Sequence, residues 1–143
     1  MKLQAAIVFF ATAVLMPAYG SADTVPDMKG TWVTTSNDNS VAYGQSEHHS
    51  ESKKDTLFFS HGPDQFKLAI DQQEGRRFAG KFSSPSASEI VVGVLSPDLQ
   101  SGVMVAHEGQ HTFKLVGKDR MERCYTQSSP HMVAACSMWE KKQ

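Results

Sequence analysis

The chain has 143 residues, with 14 lysines and arginines set against 15 aspartates and glutamates, for a formal net charge of -1. That balance leaves no strong basic excess, so nucleic acid and anionic lipid surfaces are excluded as expected partners.

In chain order, the first feature is a leader. Lys2 precedes an apolar run from Ala5 to Met16, broken only by Thr12 and ended by Pro17. A membrane-spanning helix needs ~20 apolar residues, so the run reads as a secretory signal peptide and not as an anchor. Small residues follow, and cleavage is expected after Ala22, with a cut before Ser21 as the other option. Residues 1–22 are then the signal peptide and 23–143 a single mature domain of ~120 residues, enough for one core. No later segment is apolar enough for a stable membrane anchor. The expected location is the periplasm or the exterior.

The mature chain is patterned with period two. Lys29 to Thr35 opens it, and Asp55 to Ser60 follows a long polar interval, Ser36 to Lys54, whose apolar cluster is Val41, Ala42 and Tyr43. That interval is expected as a long loop near one barrel mouth. Phe66, Leu68 and Ile70 alternate with polar or small residues, as do Phe78, Gly80 and Phe82, and Gly75 supplies the turn between them. Ile90 to Leu95, Val103 to Ala106, His111 to Val116, Met121 to Tyr125 and Met132 to Trp139 continue the rhythm, separated by turn residues. No sustained helical stripe appears. About eight short antiparallel strands favour an all-β up-and-down β-barrel, because closure removes exposed edges; a two-sheet β-sandwich is the alternative. Gly80, Gly93 and Ala135 facing inward would leave room for a ligand, whereas Phe66, Phe78, Phe82 and Phe113 facing inward would fill it.

Cys124 and Cys136 flank a loop that contains Pro130. If the chain reverses there, the two stand opposite each other on neighbouring strands, within reach of a disulfide, and an exported chain favours that bond.

Lys29-Gly30-Thr31-Trp32 resembles the Gly-x-Trp opening of lipocalin-like and avidin-like barrels, and Gln72 to Gly80 resembles an avidin-like hairpin. The resemblance implies a barrel in which Trp32 closes one end or lines a ligand. The stretches Gly75 to Gly80, Val92 to Leu95 and Val133 to Cys136 also resemble a group of small exported bacterial proteins of unassigned activity. Avidin-like biotin pockets take several tryptophans, and the mature chain has only Trp32 and Trp139, so no ligand residue is carried over.

His107-Glu108-Gly109-Gln110-His111 matches H-E-x-x-H, in which two histidines one helical turn apart bind zinc and the glutamate activates the bound water. Here β-branched and aromatic residues flank the motif, and Glu108-Gly109 suits a hairpin turn. A surface metal site or a zinc hydrolase using His107, Glu108 and His111 is kept only as an alternative. His48 and His49 are expected in a solvated loop, and His61 and His131 as exposed turn residues. The carboxylate pairs Asp71 and Glu74, and Asp119 and Glu122, read as solvated hairpin ends. The methionines of the mature chain are scattered, as core packing requires, and no cofactor is expected.

With no nucleophile elbow and no phosphate loop, the expected function is a non-enzymatic binding module for a small apolar ligand or a protein partner. The alternative is an inhibitor of a secreted hydrolase that inserts the extended stretch Ala22 to Asp27.

Overall fold

The computed structural model describes residues 24–35, 40–45, 48, 52–60 and 66–142. The leader, the cleavage positions, His49 and His61 lie outside these residues. Among the described residues there are ten strands: β1 (Gly30–Thr34), β2 (Ser40–Tyr43), β3 (Leu57–Phe59), β4 (Lys67–Glu74), β5 (Arg77–Ser83), β6 (Ser88–Leu95), β7 (Ser101–Val105), β8 (Gln110–Gly117), β9 (Arg120–Gln127) and β10 (Met132–Lys142). No helix occurs among the described residues.

All neighbours pair antiparallel, in the order β1-β4-β5-β6-β7-β8-β9-β10, and β1 pairs again with β10, so eight strands close into an up-and-down barrel. The hairpin turns are short and local, as period-two segments separated by turn residues dictate. Gly75, at φ 56°, takes the left-handed position between β4 and β5. The barrel is the expected architecture, and the sandwich alternative falls with the β1–β10 pairing.

One expectation needs correction. Ser36 to Lys54 is not loop throughout: its apolar cluster forms β2, which pairs with Met132 to Ala135 of β10 and carries β3 on its other side. The reason is burial. Ala42 is almost fully covered, and the pairing gives Val41, Ala42 and Tyr43 strand partners that a solvated loop would lack. The strand expected over Asp55 to Ser60 is β3, and it lies outside the closed ring.

Inside the ring, alternation turns apolar side chains inward. Trp32, Leu68, Ile70, Phe78, Phe82, Val91, Leu95, Met104, Phe113, Met121 and Trp139 form one continuous core with Met28. Register shows what two of the inward glycines face. Phe78 pairs with Gly93 and Phe113 with Gly102. A Cβ on Gly93 or Gly102 would stand 2.4 Å from the facing phenylalanine ring. Each ring therefore occupies the space its partner glycine leaves, and in these layers the glycine space is filled by rings.

The end of the barrel that holds the β4–β5 and β8–β9 turns is sealed by the segment preceding β1. Met28 is buried beneath Trp32, whose indole Nε1 donates to Met28 O at 2.9 Å. Gln73 fixes the segment by accepting from Met28 N at 2.7 Å and donating to Pro26 O at 2.8 Å. Lys141 adds a bond to Asp27 O and lies over the Trp32 ring. The described part of the proposed insert, residues 24–27, is thus tied to the barrel end at Pro26 and Asp27.

Cys124 and Cys136 are direct register partners on β9 and β10 and are joined by a disulfide, with Cα atoms 4.0 Å apart. Their neighbours Arg123, Tyr125, Ser137 and Ala135 point inward, so the bond lies on the outer face, where Cys136 is exposed.

Candidate functional site

Two regions of the barrel carry more than packing: the mouth opposite the Met28 seal, and the outer face of β6 and β7.

At the mouth, β9 alternation sends Met121, Arg123, Tyr125 and Gln127 toward the interior. Arg123 is only 5% exposed, its guanidinium lying 4.5 Å from the Phe82 ring centroid and 4.7 Å from that of Trp139. Its Nη2 donates to the buried ring of His111, 3.1 Å from Nε2 and closer still to Nδ1. Its Nε is buried with no hydrogen-bond partner among the described residues. A buried guanidinium normally takes a carboxylate, whereas here two aromatic faces supply much of the compensation.

The mouth polarises its own groups. Burial, followed by the positive charge of Arg123, pushes the His111 imidazole down to about 2. A neutral ring keeps one acceptor nitrogen, which is what the Arg123 bond needs. Burial lowers Arg123 itself to about 9, against the pull of Tyr125 and Glu89. The Tyr125 hydroxyl is raised by burial and by Glu89 and Glu108, and it donates to Gln127 Oε1 at 2.7 Å. Burial would raise the Glu89 carboxyl, but His48 and the backbone N–H of His107, which donates to Glu89 Oε2 at 3.0 Å, leave it below the ordinary carboxylate value.

The H-E-x-x-H residues fall on the β7–β8 hairpin, where Ala106 N bonds Gly109 O across the turn. His107 is exposed at the tip, and Glu108 accepts from Gln127 Nε2 at 3.4 Å. His111 points into the barrel against Arg123, so the two histidines do not share a face. Among the described residues no group of three or more His, Cys, Asp or Glu is arranged to hold a metal ion.

Two histidines depart from expectation. His131 is 7% exposed, not a solvated turn residue, with Nε2 4.0 Å from Glu108 Oε2. The cause is β2: Gly44 at its end packs on the His131 side chain so closely that a Cβ there would lie 3.1 Å from His131 Cβ. The peptide bond before Pro130 is cis. His48 is likewise mostly covered, its Nδ1 2.9 Å from Ser84 Oγ, its Nε2 3.6 Å from Glu89 Oε1 and its ring 5.2 Å from that of Phe82. The Phe82 ring draws it down as a plain solvated loop would not.

The outer face of β6 and β7 is aliphatic. Ile90, Val92 and Val94 on β6 and Val103 and Val105 on β7 point to solvent, Ile90 at 68% and Val92 at 54% exposure. Val92 pairs with Val105 and Val94 with Val103, so four of the five sit side by side. Val92, Val94, Val103 and Val105 line, with Ala79, Glu74 and Arg77 among others, a shallow open groove of about 630 Å³. In the sequence the run Ile90 to Leu95 shows its β-branched character but not, at first sight, its aliphatic outer face. Strict alternation would have shown it, because Val91 and Leu95 on the same strand take the inside.

Comparison with protein-family models, with curated proteins and with solved structures finds no match.

Proposed function

We propose that the protein is a non-enzymatic binding module, exported with a cleaved leader to the periplasm or the exterior, that engages a protein partner with the outside of a filled barrel. The observation that carries this reading is the occupation of the glycine spaces by Phe78 and Phe113. A barrel whose notches hold its own rings is a scaffold, and its recognition surfaces are external. The outer disulfide is consistent with an oxidising location.

The chemistry of the mouth supports a non-catalytic role. His111 is neutral and engaged, and Tyr125 is raised away from neutrality, so neither is poised to exchange a proton near neutral pH. Native mass spectrometry and displacement of a lipophilic fluorescent dye test the reading. The expected result is a wild-type protein without retained ligand or saturable dye binding, while Phe113→Ala, which opens a cavity, gains dye binding. A co-purified lipophile, or stoichiometric dye binding by the wild type, would overturn it.

A further inference from the structure

We infer that the free edge of β3 pairs antiparallel with β3 of a second copy of this chain, about a two-fold axis at Phe58; the inference stands apart from the recognition of other proteins proposed above. β3 ends the strand order, and among the described residues no strand lies on its far side. Hydrogen-bond parity tells which of its groups face that side. Gly44 N donates to Thr56 O at 3.1 Å and Ser60 N to Ser40 O at 3.0 Å, so Thr56 and Ser60 bond toward β2. Phe58, opposite Ala42 and midway between them, does the same. Leu57 and Phe59 therefore turn their backbone N–H and C=O outward, and at 65% and 57% exposure they are open to a neighbour. Another strand supplies donors and acceptors at that spacing.

Self-complementarity makes that strand a second copy. Leu57 and Phe59 lie symmetrically about Phe58, so antiparallel pairing centred there sets each Leu57 against Phe59 of the other copy and joins all the outward groups. Both side chains stand on the outer face, in the rows that Tyr43 and Met132 continue across β2 and β10, so apolar meets apolar along the seam. β2 and β3 contain no charged residue to oppose it. Lys53 and Lys54, just before β3, are carried to opposite ends of the pair by the antiparallel sense, whereas a parallel pair would set like charges side by side. Edge strands that avoid partners commonly carry a lysine or a proline, and β3 has only its shortness. Shortness sets the strength: the seam is well below the area of a permanent dimer, so the association is reversible and depends on concentration.

Sedimentation equilibrium of the exported protein, carried to millimolar concentration, should show a monomer–dimer equilibrium. Phe59→Pro removes an outward N–H and leaves the bonds to β2 in place, so it should weaken association about tenfold with the circular dichroism spectrum unchanged. Phe58→Cys reads the register. Both native cysteines are held in the disulfide, so the new thiol is the one free thiol and faces its own copy across the axis. Mild oxidation should give a covalent dimer from Phe58→Cys and not from Leu57→Cys, whose thiols stand diagonally apart beyond disulfide reach. In the wild type, amide exchange at Leu57 and Phe59 should slow as concentration rises while that at Phe58 stays constant. A wild type that is monomeric throughout, undiminished association of Phe59→Pro, or a Phe58→Cys protein that cross-links no better than Leu57→Cys would each refute the pairing. Exchange at Leu57 and Phe59 that ignores concentration refutes it even where a variant fails to fold. A monomer that binds a foreign strand-forming peptide at β3 sinks self-pairing and leaves external recognition standing.

Discussion

The ring of Phe113 rests where the side chain of Gly102 would begin: a Cβ added to Gly102 would meet Phe113 Cζ at 2.4 Å. Gly102 also pairs with Phe113 across β7 and β8, so the contact is fixed by register and not by a mobile rotamer alone. Gly102→Ala is expected to destabilise the barrel by about 1–3 kcal/mol through overpacking, and Phe113→Ala by about 3–5 kcal/mol. Because the two share one space, the glycine substitution should cost less in the Phe113→Ala background. Urea denaturation of the four proteins in this cycle measures the difference, and strict additivity would refute the shared space.

His111 should make the fold acid-sensitive in a window of its own. Its folded pKa is depressed, so it stays neutral while the unfolded chain takes up a proton below about 6.5. The unfolded state then binds more protons, and stability falls as pH falls, by about 1.4 kcal/mol per pH unit below that value. Glu89, also depressed, contributes in the same direction only below the ordinary carboxylate range. His111→Gln should remove the loss between pH 6 and 5, as read by thermal melts across pH. An unchanged slope would show that His111 titrates freely.

Among the described residues no carboxylate pairs with Arg123, so shape should matter more than charge there. Arg123→Met is expected to lie within about 1.5 kcal/mol of the wild type, because it relieves the burial of a cation and retains bulk between Phe82 and Trp139. Arg123→Ala should cost more, about 2–4 kcal/mol, by leaving a cavity between the two rings. Chemical denaturation separates them, and equal losses would show that the charge itself is the stabilising element.

The disulfide should stabilise the barrel without being needed to form it, since the β9–β10 register extends on both sides of the bond. A Cys124→Ala/Cys136→Ala protein is expected to retain its far-ultraviolet spectrum and to lose about 2–4 kcal/mol of stability. Unfolding of the doubly substituted chain would show that the strand pairing is insufficient alone.

Zinc should bind no more tightly to the wild type than to His107→Ala/His111→Ala, because His111 faces inward and spends its acceptor on Arg123. Calorimetric titration of the metal-free proteins checks this. A high-affinity site lost in the double variant would require the hairpin to rearrange.

Much of the barrel was legible because alternation is a local property: each of β4 to β10 shows its buried face within a few residues, and Gly75 and Pro130 announce turns. β2 was not legible, since Val41, Ala42 and Tyr43 make sense as a strand only once β10 is known to offer an edge. The mouth was hidden for a related reason. Arg123 was readable in principle, as it shares the inward parity of Met121 and Tyr125 on a recognised strand, but an arginine is ordinarily assigned to solvent. What no local pattern carries is the aromatic sandwich of Phe82 and Trp139 that makes its burial tolerable.

The pairing of β1 with β10 joins the first strand of the ring to the last. The circle therefore closes only when Thr31 to Thr34 meet Trp139 to Lys142, the most widely separated pairing in the ring. Until those residues meet, the sheet is a curved ribbon with two raw edges, and shortening β10 to end before Trp139 should leave it so.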